Sequence, residues 1–240
     1  MANLAVLNNI DHKDLRVVTT RSAEHGDAYM VVPTFPREFR SVQAHYPIVF
    51  RQTQNGGDIT PLVLLGLQPD ENLFLGDGTW DAGYIPLCAE AKPFLIGSSQ
   101  SPLGGQEQWE IHVDLDSTRL SRDRGVSLFG ELGGNSPYLN RIREVLQAIH
   151  AGIGEVKPFT DALKRYELLE PFTAEMNLPD GNAHRLAGFY TINEERLAQL
   201  PEAAICNLHT SGLLFDIHMQ LASLSHIADL FQRKSARLAS

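Results

Sequence analysis

Two cysteines in 240 residues, Cys88 and Cys206, are too few for a disulfide framework and too far apart for a zinc knuckle. Both sit among apolar neighbours, where a thiol behaves as a small hydrophobe, and a reduced, cytoplasmic setting is expected. Long apolar runs are also missing. Runs such as Leu62–Leu65 and Leu213–Phe215 fall far short of the roughly 20 residues that a membrane helix needs. Mean hydropathy is −0.16. The stretch Met1–Asn9 has no basic start and too little apolar length for a secretory leader, so neither membrane insertion nor general secretion is expected. Export without a leader stays open. Basic charge is scarce: 20 Lys and Arg face 29 Asp and Glu, for a net charge of −9. Phosphate-neutralising proteins show a basic patch or a high pI, so nucleic acid is not an expected partner. The local group Arg119, Arg122 and Arg124 interleaves with Asp116 and Asp123 and reads as a solvated loop. Catalytic signatures are absent as well: no serine elbow, paired-carboxylate motif or Walker loop occurs, and Gly130–Gly134 has the wrong spacing for a phosphate cradle.

What is present is a globular composition, 43% apolar and 20% charged. The pattern predicts an α+β protein. Residues 1–115 read as a β-rich portion with a mixed or antiparallel sheet, in which Ile48–Phe50, Pro61–Leu67, Asn72–Leu75 and Trp109–Leu115 are strands. Pro36 opens a short helix that Pro47 ends. Residues 116–136 are a Gly-rich connection. Residues 137–240 form a helical portion. Its first helix starts at Ser136-Pro137 and carries Leu139, Ile142, Val145 and Ile149 on one face. Gly152 and Gly154 are expected to break that helix. After Pro171 the period changes to two, and a two-stranded hairpin over 172–190 is expected on the turn Pro179-Asp180-Gly181-Asn182. Thr191-Ile192-Asn193-Glu194 reads as a capping box. Gly212 interrupts the helices that follow.

Two constellations carry candidate chemistry. In His112-Val113-Asp114 on a strand, an imidazole and a carboxylate project from one face, as two arms of the facial triad of iron oxygenases do. A distant histidine such as His184 would complete the set, and iron would be the cofactor. The competing reading is a pair of polar side chains on a surface strand, with no cofactor. The aromatic residues Tyr46, Tyr84, Phe94 and Trp80 line a ligand pocket or pack as core; Trp80, after Asp77-Gly78-Thr79, is the one expected near the surface. Cys88 as a nucleophile would need a nearby base, and its apolar neighbours argue for packing.

Several separated blocks stand in one order: Tyr46-Pro47-Ile48-Val49-Phe50, Gly78-Thr79-Trp80, Tyr84-Ile85-Pro86 and Pro93-Phe94. Leu168-Leu169-Glu170-Pro171-Phe172 and Gly188-Phe189-Tyr190-Thr191-Ile192 follow. In these the chain resembles the bacterial SapC-like family, which is distinct from the transporter permease of the same name. The resemblance implies a bacterial protein linked to surface layers or outer-membrane uptake. It implies no catalytic residue. A non-enzymatic binding or assembly accessory is therefore the leading expectation, with another protein or a small-molecule ligand as partner and self-association left open. An iron-dependent oxygenase and a small-molecule sensor are the alternatives.

Overall fold

The computed structural model describes residues 3–53, 57–99, 108–177 and 183–239. The strands, all short until the last two, are β1 (Leu4–Val6), β2 (Arg16–Val17), β3 (Val31–Pro33), β4 (Ile48–Gln52) and β5 (Ile59–Leu64). After them come β6 (Leu75–Gly76), β7 (Thr79–Trp80), β8 (Phe94–Ser99), β9 (Gln108–Asp114), β10 (Leu120–Ser121) and β11 (Val126–Ser127). The last two are β12 (Leu169–Asn177) and β13 (Ala183–Ile192). The helices are α1 (Phe39–Val42), α2 (Leu87–Glu90), α3 (Pro137–Arg165), α4 (Glu194–Ala198), α5 (Glu202–Thr210), α6 (Leu213–Ser223) and α7 (His226–Ala239). The fold is α+β. No helix among the described residues is long and apolar enough to cross a membrane.

Two compact units share the chain, and they interleave instead of meeting at the Gly-rich stretch. The first comprises Met1–Ala28, Leu75–Asp81 and Leu87–Ala151; the second comprises Tyr29–Phe74, Ala82–Pro86 and Gly152–Ser240.

In the first unit β1, β9 and β8 form an antiparallel sheet in that order. Partners in register share a face, so Ala5, Val113 and Phe94 form one row, and Val6, His112 and Leu95 form the neighbouring row on the opposite face. Phe94 and Val113 are buried, and the Phe94 ring meets Tyr138 of α3 at 6.5 Å between centroids. Ser136 caps α3 by accepting from the Leu139 N–H at 3.2 Å. Leu139, Ile142, Val145, Leu146 and Ile149 are buried on one stripe of that helix. The stretch 116–136 is not a bare connection. It holds β10 and β11, which pair with the two edges of β2, and the left-handed Gly125 (φ +92°) brings its backbone against Val17, where a Cβ would lie 2.2 Å from a carbonyl oxygen.

The second unit is built on an antiparallel sheet ordered β12-β13-β4-β5-β3. Ile48, Val49 and Phe50 of β4 are all buried, as a strand covered on both faces requires. The hairpin is longer than 172–190, and it joins this sheet through Tyr190 opposite Phe50. Its turn, Pro179–Asn182, lies outside the described residues. Near that junction helix α6 substitutes for a strand. Ser223 Oγ accepts from the Ile48 N–H at 2.9 Å, and Gln220 Nε2 donates to the Ile48 carbonyl at 2.8 Å and to Thr191 Oγ1 at 3.1 Å. Backbone groups buried away from water need such partners, and here side chains supply them.

Three local expectations fail for identifiable reasons. Thr191 does not cap α4, because it is still in β13 and its hydroxyl serves Gln220; Asn193 is the cap, accepting from the Arg196 N–H at 2.7 Å. Residues 72–74 do not form a strand. Buried Asn72 takes the Phe74 N–H at 3.0 Å in its own local turn, leaving β6 to begin at Leu75. The third failure is α3, which runs unbroken for 29 residues through Gly152, Gly154 and Pro158.

The two glycines have opposite purposes. A Cβ on Gly152 would lie 2.1 Å from the buried Phe35 ring, whereas one on Gly154 would meet nothing within 4 Å. Gly152→Ala should therefore lower stability by about 1–2 kcal/mol, because overpacking costs more than the helix propensity gained. Gly154→Ala should raise it by roughly 0.5–1 kcal/mol. Urea titrations of the two variants check the opposite signs.

Candidate functional site

The outer face of the β1-β9-β8 sheet carries exposed apolar side chains among its polar ones. Leu4 (50%), Val6 (44%) and Leu95 (45%) are all strongly exposed. His112 lies between Val6 and Leu95 in register, and its ring covers Gly97, at which a Cβ would approach Nε2 within 2.4 Å. Glu110 and Asp114 share this face by alternation. The hydrogen bonds from Leu7 N–H to Ile111 and from Leu115 N–H to Asn3 set the ladder, so the backbone groups of Leu4 and Val6 point away from β9, along the sheet's edge.

His112 and Asp114 thus share a face, as their spacing requires, but Asp114 Oδ1 is taken up by the Asp116 N–H at 3.2 Å. His184 lies on β13, opposite Met176 in the second unit, and its side chain is outside the described residues. Among the described residues no three His, Cys, Asp or Glu side chains gather closely enough to hold a metal ion.

The four aromatic candidates divide between the units: Trp80 and Phe94 belong to the first, Tyr46 and Tyr84 to the second. Tyr46 and Phe94 are interior side chains. Tyr46 packs edge-on against Phe74 at 4.6 Å and donates its hydroxyl to the Tyr84 carbonyl. The Tyr84 hydroxyl donates to buried Glu38 at 3.0 Å, and Thr34 donates to the same carboxylate at 2.7 Å. Trp80 is half-buried opposite Leu75 in the β6–β7 pair. A shallow cavity of about 330 Å³ in the second unit is lined by Asp161, Arg165, Tyr166, Asn207 and Ser211.

The least legible cluster is ionic. Asp27 is completely buried and Arg119 is 2% exposed. Arg119 Nη2 donates to Asp27 Oδ2, and its Nη1 donates to the carbonyls of Val18 and Thr20 at 3.0 and 3.1 Å. Arg21 Nη1 donates to Asp27 Oδ1 at 3.3 Å and to the Ala89 carbonyl at 3.1 Å, and the Ser22 N–H adds a further bond to Asp27. Lys92 reaches solvent, yet burial of its ammonium pushes its pKa below the usual lysine range. Asp27 opposes that shift, while Arg119 and Arg21 reinforce it. The Tyr138 phenol is pushed up by burial, with Arg21 and Arg119 pulling the other way. Arg119 is therefore no solvated loop residue. Its partner lies 92 positions away, and no local pattern announces the pairing.

A second perturbed group is Asp216, on the first turn of α6. Burial, and then the charge of Glu155, raise its pKa to about 6. The folded state thus holds this proton more tightly than the unfolded chain does. The resulting penalty is absent below about pH 4, grows as pH rises, and is complete above about pH 6. Because the group is half open to solvent, screening reduces the effect to roughly 1 kcal/mol. Asp216→Asn should accordingly stabilise the protein by about 1 kcal/mol at pH 8 and not at pH 3.5, measured by denaturation at both values.

The family model described as SapC matches residues 7–230. No curated protein and no solved structure matches the chain.

Proposed function

The chain belongs to the SapC family, and on that premise we propose that it is a non-enzymatic binding or assembly accessory in a bacterial surface-layer or outer-membrane uptake pathway. The observation that carries the reading is the exposed row of Leu4, Val6 and Leu95 beside an outward-facing strand edge. Exposed apolar side chains grouped on a sheet beside an open edge are a liability unless a partner covers them. The partner chemistry follows from the surroundings. An extended segment of another protein can add to the β1 edge, with apolar side chains over the row and basic ones opposite Glu110 and Asp114. A second copy is disfavoured by a net charge of −9 on each chain.

The test is photo-cross-linking in the encoding bacterium from a reactive residue placed at Leu95, compared with one placed at fully exposed Leu132. A single identified protein captured from Leu95 alone, and lost on Val6→Lys, supports the reading. Equal capture from both positions, or a homodimer by analytical ultracentrifugation that Val6→Lys dissolves, overturns this partner. Stoichiometric iron in the purified protein, lost on His112→Ala, would replace the reading with a metalloenzyme.

A further inference from the structure

The charge that a cavity accepts depends on which of its polar groups already have partners. The cavity of about 330 Å³ in the second unit lies between the last turns of α3, the end of α5 and the start of α6. Helix C-termini expose carbonyls that favour a cation, but here those carbonyls are spent. The N–H groups of Tyr166, Glu167 and Leu168 donate to Ala162, Lys164 and Leu163 at 3.1, 3.1 and 2.9 Å. At the end of α5 the Asn207 carbonyl takes the Ser211 N–H and hydroxyl at 3.1 and 2.8 Å, and the Gly212 N–H donates to His209 at 3.0 Å. The carboxylate on the wall, Asp161, is held by Lys157 at 2.7 Å.

Three donors on the wall remain unspent. Arg165 has no acidic partner among the described residues. Its guanidinium lies 5.5 Å from the centroid of the Tyr166 ring, a contact that orients the fork without neutralising it. The Asn207 carboxamide and the Tyr166 hydroxyl make no hydrogen bond among the described residues. Beside these donors the wall is apolar, formed by Ala162, Leu208 and Leu213, and Leu208 is 1% exposed. A concave surface of this size, mainly apolar with a few polar groups to fix orientation, has the build of a small-ligand pocket. An unpaired guanidinium fork matches a planar carboxylate, which it can hold by two parallel hydrogen bonds.

We propose that this cavity binds a small organic monocarboxylate with an apolar body. The carboxylate is received by Arg165 and Asn207, and the hydrocarbon lies against Ala162, Leu208 and Leu213. The cavity belongs to the second unit and the proposed partner surface to the first, so each reading can fail without the other.

Isothermal titration calorimetry and thermal unfolding at pH 7.5 test it, with sodium 4-phenylbutyrate and sodium hexanoate as probes. Sodium chloride at matched ionic strength is the reference. At least one of the two acids should bind and raise the melting temperature above that reference. Acetate, which lacks the apolar body, and 4-phenylbutyramide, which lacks the charge, should each bind about tenfold more weakly or worse. Arg165→Gln, at an exposed helix position, should weaken binding of the acid by a similar factor while leaving the amide unaffected. Ala162→Leu, which fills the cavity, should weaken both. Arg143→Gln, an exposed cation elsewhere on α3, should change neither. Absence of binding by both acids, equal binding of acid and amide, or full binding by the Arg165 and Ala162 variants would overturn the site.

Discussion

Asp27→Ala is expected to destabilise the protein by about 3–5 kcal/mol, among the largest effects available to a single substitution in it. The reason is what the alanine leaves behind. Asp27 is the direct ion-pair partner of Arg119, a guanidinium with almost no access to water, and it also receives Arg21 and the Ser22 N–H. Without the carboxylate, the buried Arg119 guanidinium keeps only the carbonyls of Val18 and Thr20 as acceptors among the described residues. The double variant Asp27→Ala/Arg119→Met should recover part of the loss, because it removes the stranded charge as well as its partner. Urea denaturation of both variants separates the alternatives. A single-variant cost under about 1 kcal/mol, or a double variant worse than additive, would show that the pair does not organise this unit.

Phe159→Ala should cost a comparable amount, about 3–5 kcal/mol, by a different mechanism. Phe159 is wholly buried near the C-terminal end of α3. Its ring meets Phe39 edge-on at 5.6 Å between centroids and lies 6.2 Å from Phe50 on β4. It therefore joins helix, α1 and sheet in the second unit. Truncation removes the transfer free energy of the ring and opens a cavity that two fixed aromatic neighbours cannot fill. Phe159→Leu keeps most of the volume and should cost less than about 2 kcal/mol. Equal losses for Ala and Leu would mean that the ring geometry, and not the filled volume, carries the stability.

These two predictions come from parts of the chain that differ in how openly the sequence displays them. Phe159 sits on a helix that periodicity reveals, and its burial follows from the apolar stripe it shares with Leu163. The strands β4, β5, β8 and β9 are equally visible as β-branched and aromatic runs. Ser136 at the start of α3 and Gly212 between α5 and α6 do what capping and turn chemistry predict. The hairpin stands out by its period of two, although its membership in a five-stranded sheet does not.

The misread elements share a cause. Gly152 looks like a helix breaker because the backbone freedom of glycine is a local property, while the ring of Phe35 that requires its small size comes from far away in the chain. Thr191 looks like a cap because its hydroxyl is the right type at the right offset, until Gln220 claims it from 29 positions away. Among candidate site residues the same holds. The shared face of His112 and Asp114 was readable from their spacing of two. The apolar row beside them needed the pairing of β1 with β9, and of β9 with β8, to bring Val6 and Leu95 to either side of His112.

Sequence alone determined most of the longer helices and strands, the acidic net charge and the family. Those properties depend on neighbours within one or two turns, or on composition, and so are written in contiguous residues. Only the tertiary structure decided that Arg119 is a buried cation paired with Asp27, that α6 completes the hydrogen bonding of β4, and that an apolar row lies open on one sheet. Electrostatics and packing act through space, and residues close in space here are separated by 92 or 172 positions in the chain.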